Sequence, residues 1–344
     1  MADRRVLRRV VSGVGLAALA VGTGALVTLA MQAQGAAPAQ AGETPVTAFT
    51  PVDSAPTSTF TYSPTTAGQT QSSDAAAGAV TATATPTTSA TGEPAAVTLT
   101  AAPLSQLLVA VDATHAWRVT VGSCTSGGAS VLASSDAGRT WTAHPVPVKA
   151  ITRLRATSAR SAFVIGADGS CAATMRRTAN GGTSWTFGGG VGSSWYRDAA
   201  APRVVHTPRG VAVRPCQGGA QVVDLLPSSS ARATVLCADG QVRSTSDSGA
   251  SWSASGSATG ALAAASDGGT DTWVARGGAD QGCEGIAVVR ASRPTAVVGC
   301  AKVDLSGVQP GQVALSTAGT SGWLLVGDHT LHSDDGLKTW TLAG

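Results

Sequence analysis

Four copies of one short pattern, S/T-x-D/N-x-G-x-T/S-W, constrain this chain more than any other feature. They run Ser134-x-Asp136-x-Gly138-x-Thr140-Trp141, Thr178-x-Asn180-x-Gly182-x-Ser184-Trp185, Thr245-x-Asp247-x-Gly249-x-Ser251-Trp252 and Ser333-x-Asp335-Gly336-x-x-Thr339-Trp340. The fourth has its glycine one place early, with Leu337 where the others carry glycine. Each copy closes a stretch of strand-like sequence, and self-similarity of that kind marks a repeat architecture.

Every residue of the pattern has a structural task. Asp or Asn at the third position accepts hydrogen bonds from amides further along a tight turn. Glycine supplies a positive φ at no steric cost. The first and seventh hydroxyls bridge two strands. The closing Trp starts the outgoing strand and buries a large ring whose N–H needs a partner. The acidic residues are therefore read as turn-formers and not as catalysts.

The pattern resembles the Asp box, also called the BNR repeat. That box occurs in β-propellers: sialidases, the sortilin-type ten-bladed domain, xyloglucan-cleaving glycosidases and a photosystem assembly factor. There it joins the two outer strands of a blade and lies away from the ligand-binding face. The resemblance covers residues 104–344 and implies an all-β propeller of four-stranded blades. It implies no activity, because enzymes and non-enzymes share the box.

Short, roughly period-2 apolar strands precede each copy. Pairs of them begin near residues 107, 151, 221, 262 and 312, which gives five recognisable blades. The long interval from 151 to 221 leaves residues 188–219 as an insertion or a degenerate sixth blade, and seven remain open. The blade starting near 262 has no box, and Ala296-Val297-Val298-Gly299 is expected as its outgoing strand. A strand at Val97-Thr98-Leu99-Thr100 paired with the last blade would close the ring and remove free sheet edges.

The chain has 344 residues and three compositional parts. Residues 1–35 pair a basic cluster (Arg4, Arg5, Arg8, Arg9) with an uncharged run from Val10 to Met31. That run would span ~33 Å as a helix, enough for a bilayer core. We read it as an uncleaved signal anchor that leaves the C-terminal domain outside the bacterial cell membrane. Cleavage at Ala39-Gln40-Ala41, giving a secreted protein, is the alternative. Residues 36–98, rich in Ala, Thr, Ser and Pro, read as a disordered linker or an O-glycosylated stalk. Residues 99–344 carry 19 Lys+Arg against 15 Asp+Glu, too mild a balance for a nucleic-acid footprint.

All six cysteines, Cys124, Cys171, Cys216, Cys237, Cys283 and Cys300, lie in the propeller part, as suits disulfides in an oxidising compartment. Six cysteines allow fifteen pairings. The nearest-neighbour set is Cys124–Cys171, Cys216–Cys237 and Cys283–Cys300, and its first bond would staple neighbouring blades. No C-x-x-C supports a metal site.

Candidates for chemistry are sparse. A sialidase-like glycosidase needs three arginines, a Tyr nucleophile with a Glu helper, and an acidic Asp. Tyr196 is the only Tyr after residue 62, and Glu284 the only Glu after residue 93. These two are the weak catalytic candidates, and no motif joins them. No phosphate loop follows a strand, so neither a nucleotide nor any other cofactor is expected. Trp195-Tyr196-Arg197-Asp198 breaks the blade rhythm and combines aromatics with a charged pair, the residue types of a ligand contact. The sequence therefore points to a tethered extracytoplasmic propeller that binds an envelope protein or a glycan. A sialidase-like glycoside hydrolase and an assembly factor resembling the photosystem one are the alternatives.

Overall fold

A computed structural model describes residues 98–343 apart from Asp267, Thr270, Asp280 and Gln281. The anchor run at 10–31 and almost all of the linker lie outside the described residues. No helix among the described residues is long and apolar enough to cross a membrane.

The described chain forms six antiparallel sheets. Blade 1 holds β1 (Gln106–Ala110), β2 (Ala116–Thr120), β3 (Ser130–Ser134) and β4 (Thr142–His144). Blade 2 holds β5 (Ala150–Ala156), β6 (Ala162–Ala167), β7 (Ala173–Thr178) and β8 (Thr186–Phe187). Blade 3 has three short strands, β9 (Tyr196–Arg197), β10 (Val205–His206) and β11 (Ala212–Val213). Blade 4 comprises β12 (Val222–Pro227), β13 (Ala233–Cys237), β14 (Gln241–Thr245) and β15 (Ser253–Ser257). Blade 5 comprises β16 (Ala261–Ser266), β17 (Thr272–Gly277), β18 (Gly285–Arg290) and β19 (Arg293–Lys302). Blade 6 comprises β20 (Val313–Ala318), β21 (Ser321–Val326), β22 (His329–Ser333) and β23 (Thr341–Leu342).

Each blade is a meander whose strands pair in sequence order. The first strand present in each blade touches the next around a circle, β1 to β5, β5 to β9, β9 to β12, β12 to β16, β16 to β20, and β20 back to β1. The protein is a six-bladed β-propeller. The boxless fifth blade has its outgoing strand over residues 296–299, inside β19. Residues 188–219 supply the degenerate blade.

Ring closure differs from the expected strand exchange. Residues 98–100 belong to no strand, and β23 completes blade 6 from its own sequence. The seam is closed by side chains and by the Ser105 amide, which donates to the Gly311 carbonyl at 2.9 Å. Ala110 N–H donates to Ser316 Oγ at 2.9 Å, and Gln106 Nε2 donates to the Gly327 carbonyl at 3.2 Å. A packed seam suffices because the core runs through blades 1, 2, 4, 5 and 6 as one cluster, including Trp117, Val131, Leu236, Ile286 and Trp323.

Alternating strand direction sorts the connections onto two ends. The turns between first and second strands share one end with the acidic turns between third and fourth strands. The other end carries all three disulfides, which join the nearest-neighbour pairs Cys124–Cys171, Cys216–Cys237 and Cys283–Cys300. Cys124 follows β2 and Cys171 follows β6, so this bond staples blade 1 to blade 2.

Blade 3 departs from this plan. Residues next to β9 and β10 lie at the acidic-turn end: Trp195 packs on Trp252, and a Cβ at Gly249 would meet Thr207. Cys216, after β11, is bonded at the opposite end. The three strands thus run as the second, third and fourth strands of an ordinary blade, and the innermost strand is missing. Arg197 occupies part of that gap. Its guanidinium donates at 3.0 Å to the Val223 carbonyl of β12 and at 3.0 Å to the Leu104 carbonyl.

Candidate functional site

The acidic turns are built alike in blades 1, 2, 4 and 6. In blade 1, Ser134 Oγ donates to Asp136 Oδ1 at 2.8 Å and accepts the Gly138 amide at 3.0 Å. Thr140 donates its amide to Asp136 Oδ1 at 3.0 Å and its hydroxyl to Oδ2 at 2.6 Å. The same four bonds recur around Asp247 with Thr245, Gly249 and Ser251, and around Asp335 with Ser333, Leu337 and Thr339. In blade 2, Asn180 replaces the carboxylate. Its Oδ1 accepts from Thr178 Oγ1 and the Ser184 amide, its Nδ2 donates to Ser184 Oγ, and the Gly182 amide donates to Thr178 Oγ1.

Each turn needs two successive left-handed residues, at φ 61° and 84° for Ala137 and Gly138 and at 76° and 70° for Gly336 and Leu337. Glycine can therefore occupy either place, which explains the shifted fourth copy. Leu337 is buried, with its room supplied by Gly299 and Gly322, where an added Cβ would collide with it. Hydrogen bonds hold these carboxyls low. The Thr140 hydroxyl and amide bring Asp136 to about 2, and the Thr339 amide and hydroxyl bring Asp335 to about 2. Asp247 lies well below the usual range for the same reason, Ser251 first. With both oxygens engaged locally, these groups hold turns at the blade rim.

The closing Trp of a turn stands one residue ahead of the outgoing strand and packs across to a neighbouring blade. Trp141 meets Trp323, Trp185 meets Trp117, and Trp252 meets Trp195, all edge to face with centroids 6.0–6.4 Å apart. The partner indole each time donates its N–H to the first turn of the next blade. Trp323 reaches the Asp112 carbonyl at 3.0 Å, Trp117 the Ser158 carbonyl at 3.2 Å, and Trp195 the Ser229 carbonyl at 2.8 Å. Trp340 instead donates to the Leu337 carbonyl in its own turn.

The strand alternation of blade 3 separates the quartet singled out in the sequence. Trp195 is buried between blades 3 and 4, and Arg197 lies in the central gap. Tyr196 faces the other way and stacks on His206, with centroids 4.3 Å apart and planes 6° from parallel. His206 Nε2 is 2.9 Å from Asp198 Oδ2. Burial opposes ionisation of Asp198, but bonds from His206 and from the Ala200 and Ala201 amides outweigh it and hold its carboxyl low. Burial, aided by Asp198, pushes the Tyr196 phenol up. Glu284 sits exposed between β17 and β18 in blade 5, which is not a neighbour of Tyr196 in blade 3.

Around the axis lies a cavity of about 480 Å³, within the ~300–1,000 Å³ range of small-ligand sites. Leu107, Leu154, Leu226 and Leu315 contribute apolar wall, while Arg153, Arg155 and Arg197 supply positive charge. Asp224 is the only carboxylate lining it among the described residues. The Leu225 amide donates to Asp224 Oδ1 at 2.8 Å and the Ala264 amide to Oδ2 at 3.3 Å. Burial still pushes this carboxyl up, against the pull of Arg197 and the two amides. Burial likewise lowers Arg197, with Asp224 opposing. Arg153 falls to about 10 through burial and then the charge of Arg155, and it remains cationic at neutral pH.

Beside this cavity, at the acidic-turn end, a cleft of about 210 Å³ opens between blades 2, 3 and 4. It shares Arg153, Arg155 and Pro227 with the cavity and adds Phe163, Arg177, Trp195 and four serines. The sequence reading did not single out these arginines. The available signal was the alternation in Ile151-Thr152-Arg153-Leu154-Arg155, which puts two arginines on one inner strand where β1, β16 and β20 carry no charge.

These features define a disulfide-locked six-bladed propeller with one deficient blade and a cationic centre. No family model matches the chain, and no curated protein matches it. Solved structures are similar to it at low identity. YCF48 bound to D1 peptide is 15% identical with a TM-score of 0.36, over 72% of this chain and 84% of that one. The Niastella koreensis GH74 enzyme is 12% identical with a TM-score of 0.36, over 69% of this chain and 46% of that one. A Trypanosoma rangeli sialidase mutant displaying trans-sialidase activity is 13% identical with a TM-score of 0.25, over 72% and 48%.

Proposed function

We propose that this chain is an Asp-box propeller that works as a binding module, held outside the cell membrane by residues 10–31. Its partner is an envelope protein or a glycan. The observation that carries this reading is that, among the described residues, one carboxylate lines the central cavity. Glycoside hydrolysis ordinarily uses two carboxyl groups at a defined separation. Among the described residues Asp224 stands alone there, and both its oxygens accept backbone amides. The acidic turns spend their carboxylates on local hydrogen bonds. Three disulfides suit an oxidising extracytoplasmic setting.

The test is turnover. The full chain is expected to release no product from a panel of aryl glycosides that includes sialosides. Hydrolysis abolished by Tyr196→Phe or Glu284→Gln would replace this reading with a sialidase-like enzyme.

A further inference from the structure

The missing inner strand of blade 3 leaves the arginine face of blade 2 uncovered. Arg153 and Arg155 stand on one face of β5, two strand residues or ~6.7 Å apart. Register places Arg155 opposite Phe163, and Phe163 opposite Arg177. Arg155 and Arg177 are exposed, and among the described residues no carboxylate pairs with either. Arg153 uses one nitrogen on the Trp195 carbonyl at 2.7 Å and lies over the Phe163 ring, 5.2 Å from its centroid. The surroundings reinforce this sign. Residues 150–257 carry eleven arginines and five aspartates, a net +6, whereas residues 258–344 carry five cations and eight carboxylates, a net −3. Such asymmetry steers a polyanion to one half of the ring.

We infer that the cleft formed by Arg153, Arg155 and Arg177 with Ser193, Ser194 and Ser229 is a binding site for a carboxylated polysaccharide. This deepens the binding-module reading and rests on it. A row of guanidinium groups matches repeated carboxylates, which arginine engages through paired N–H donors. Serine hydroxyls match sugar hydroxyls. An acidic peptide fits less well. Of the rings lining the cleft among the described residues, Phe163 is covered by Arg153 and Trp195 is buried against Trp252, while the Trp195 carbonyl is already taken, so an added peptide strand finds neither a free aromatic anchor nor that edge acceptor. The cleft opens beside the acidic turns, the end that the family resemblance leaves without ligand.

The test titrates the full chain with polygalacturonate, neutral dextran of matched length, and polyglutamate. Polygalacturonate is expected to bind, more weakly as salt rises, and dextran is not. Arg155→Ala with Arg177→Ala should weaken polygalacturonate binding about tenfold or more. Arg293→Ala, on exposed β19 of blade 5 and outside the cleft, should leave it unchanged. Both cleft arginines are exposed, so the melting temperature should hold. If the double variant melts early, each single variant takes its place, with a several-fold loss expected. No binding, binding untouched by these variants, or equal binding of polyglutamate would overturn the site. New reducing ends in the polygalacturonate would overturn the binding-module reading instead, a separate outcome.

Discussion

Trp323 and Trp141 meet edge to face, 6.4 Å between centroids at 72°, although they belong to the last and first blades. Their contact, with the Trp323 N–H on the Asp112 carbonyl, closes a ring that no exchanged strand closes. Trp323 is fully buried. Trp323→Ala should therefore cost ~3–5 kcal/mol in urea unfolding, and Trp323→Phe about 1 kcal/mol more than ring packing alone. Amide exchange in β1 and β20 should rise first. Trp340→Ala, whose indole bonds only within its own turn, should cost less; an equal cost would refute the seam.

The acidic turns set one pH dependence. Asp136 and Asp335 titrate near 2 in the folded protein, below the ~3.9 of an unfolded aspartate. Their contribution to stability is complete above pH 4 and disappears as pH falls from 4 through 2. Thr140→Val removes the hydroxyl that does most to hold Asp136 down. Carbon-detected NMR titration should show the Asp136 pKa rising in that variant while Asp335 stays in place. Asp247→Asn should keep more stability than Asp247→Ala, since Asn180 already serves in blade 2.

Asp224 sets the opposite sign. Burial raises the Asp224 carboxyl, so its contribution is present below the unfolded pKa and is lost as pH rises through the folded value. Arg197→Met removes the opposing charge and should raise Asp224 further. Stability at pH 7 should fall below that of the parent. At pH 4 the deficit should shrink because Asp224 is then more often neutral. A deficit that does not change with pH would mean that lost packing, and not the charge, matters.

Among the disulfides, loop size ranks the effects. Cys124–Cys171 spans 47 residues and Cys283–Cys300 spans 17. The chain-entropy relation gives about 4 kcal/mol for the first and about 3 kcal/mol for the second. Paired Cys→Ser variants should lower guanidinium midpoints in that order, and a reversal would place the effect in native packing.

Where each bond reaches only a few residues, the sequence alone decided the outcome. The hydroxyl, carboxylate and glycine of an acidic turn lie within seven positions, so their chemistry is written in order along the chain. The same holds for period-2 strands such as Ala162–Ala167. Blade 3 escaped because two-residue strands leave no period to read. Its lost inner strand, the turning apart of Tyr196 and Arg197, and the arginine cleft all follow from what neighbouring blades leave uncovered. The pairing of Trp141 with Trp323 is of the same kind: it exists only once six sheets close a circle, because burial between sheets depends on which surfaces the ring brings face to face.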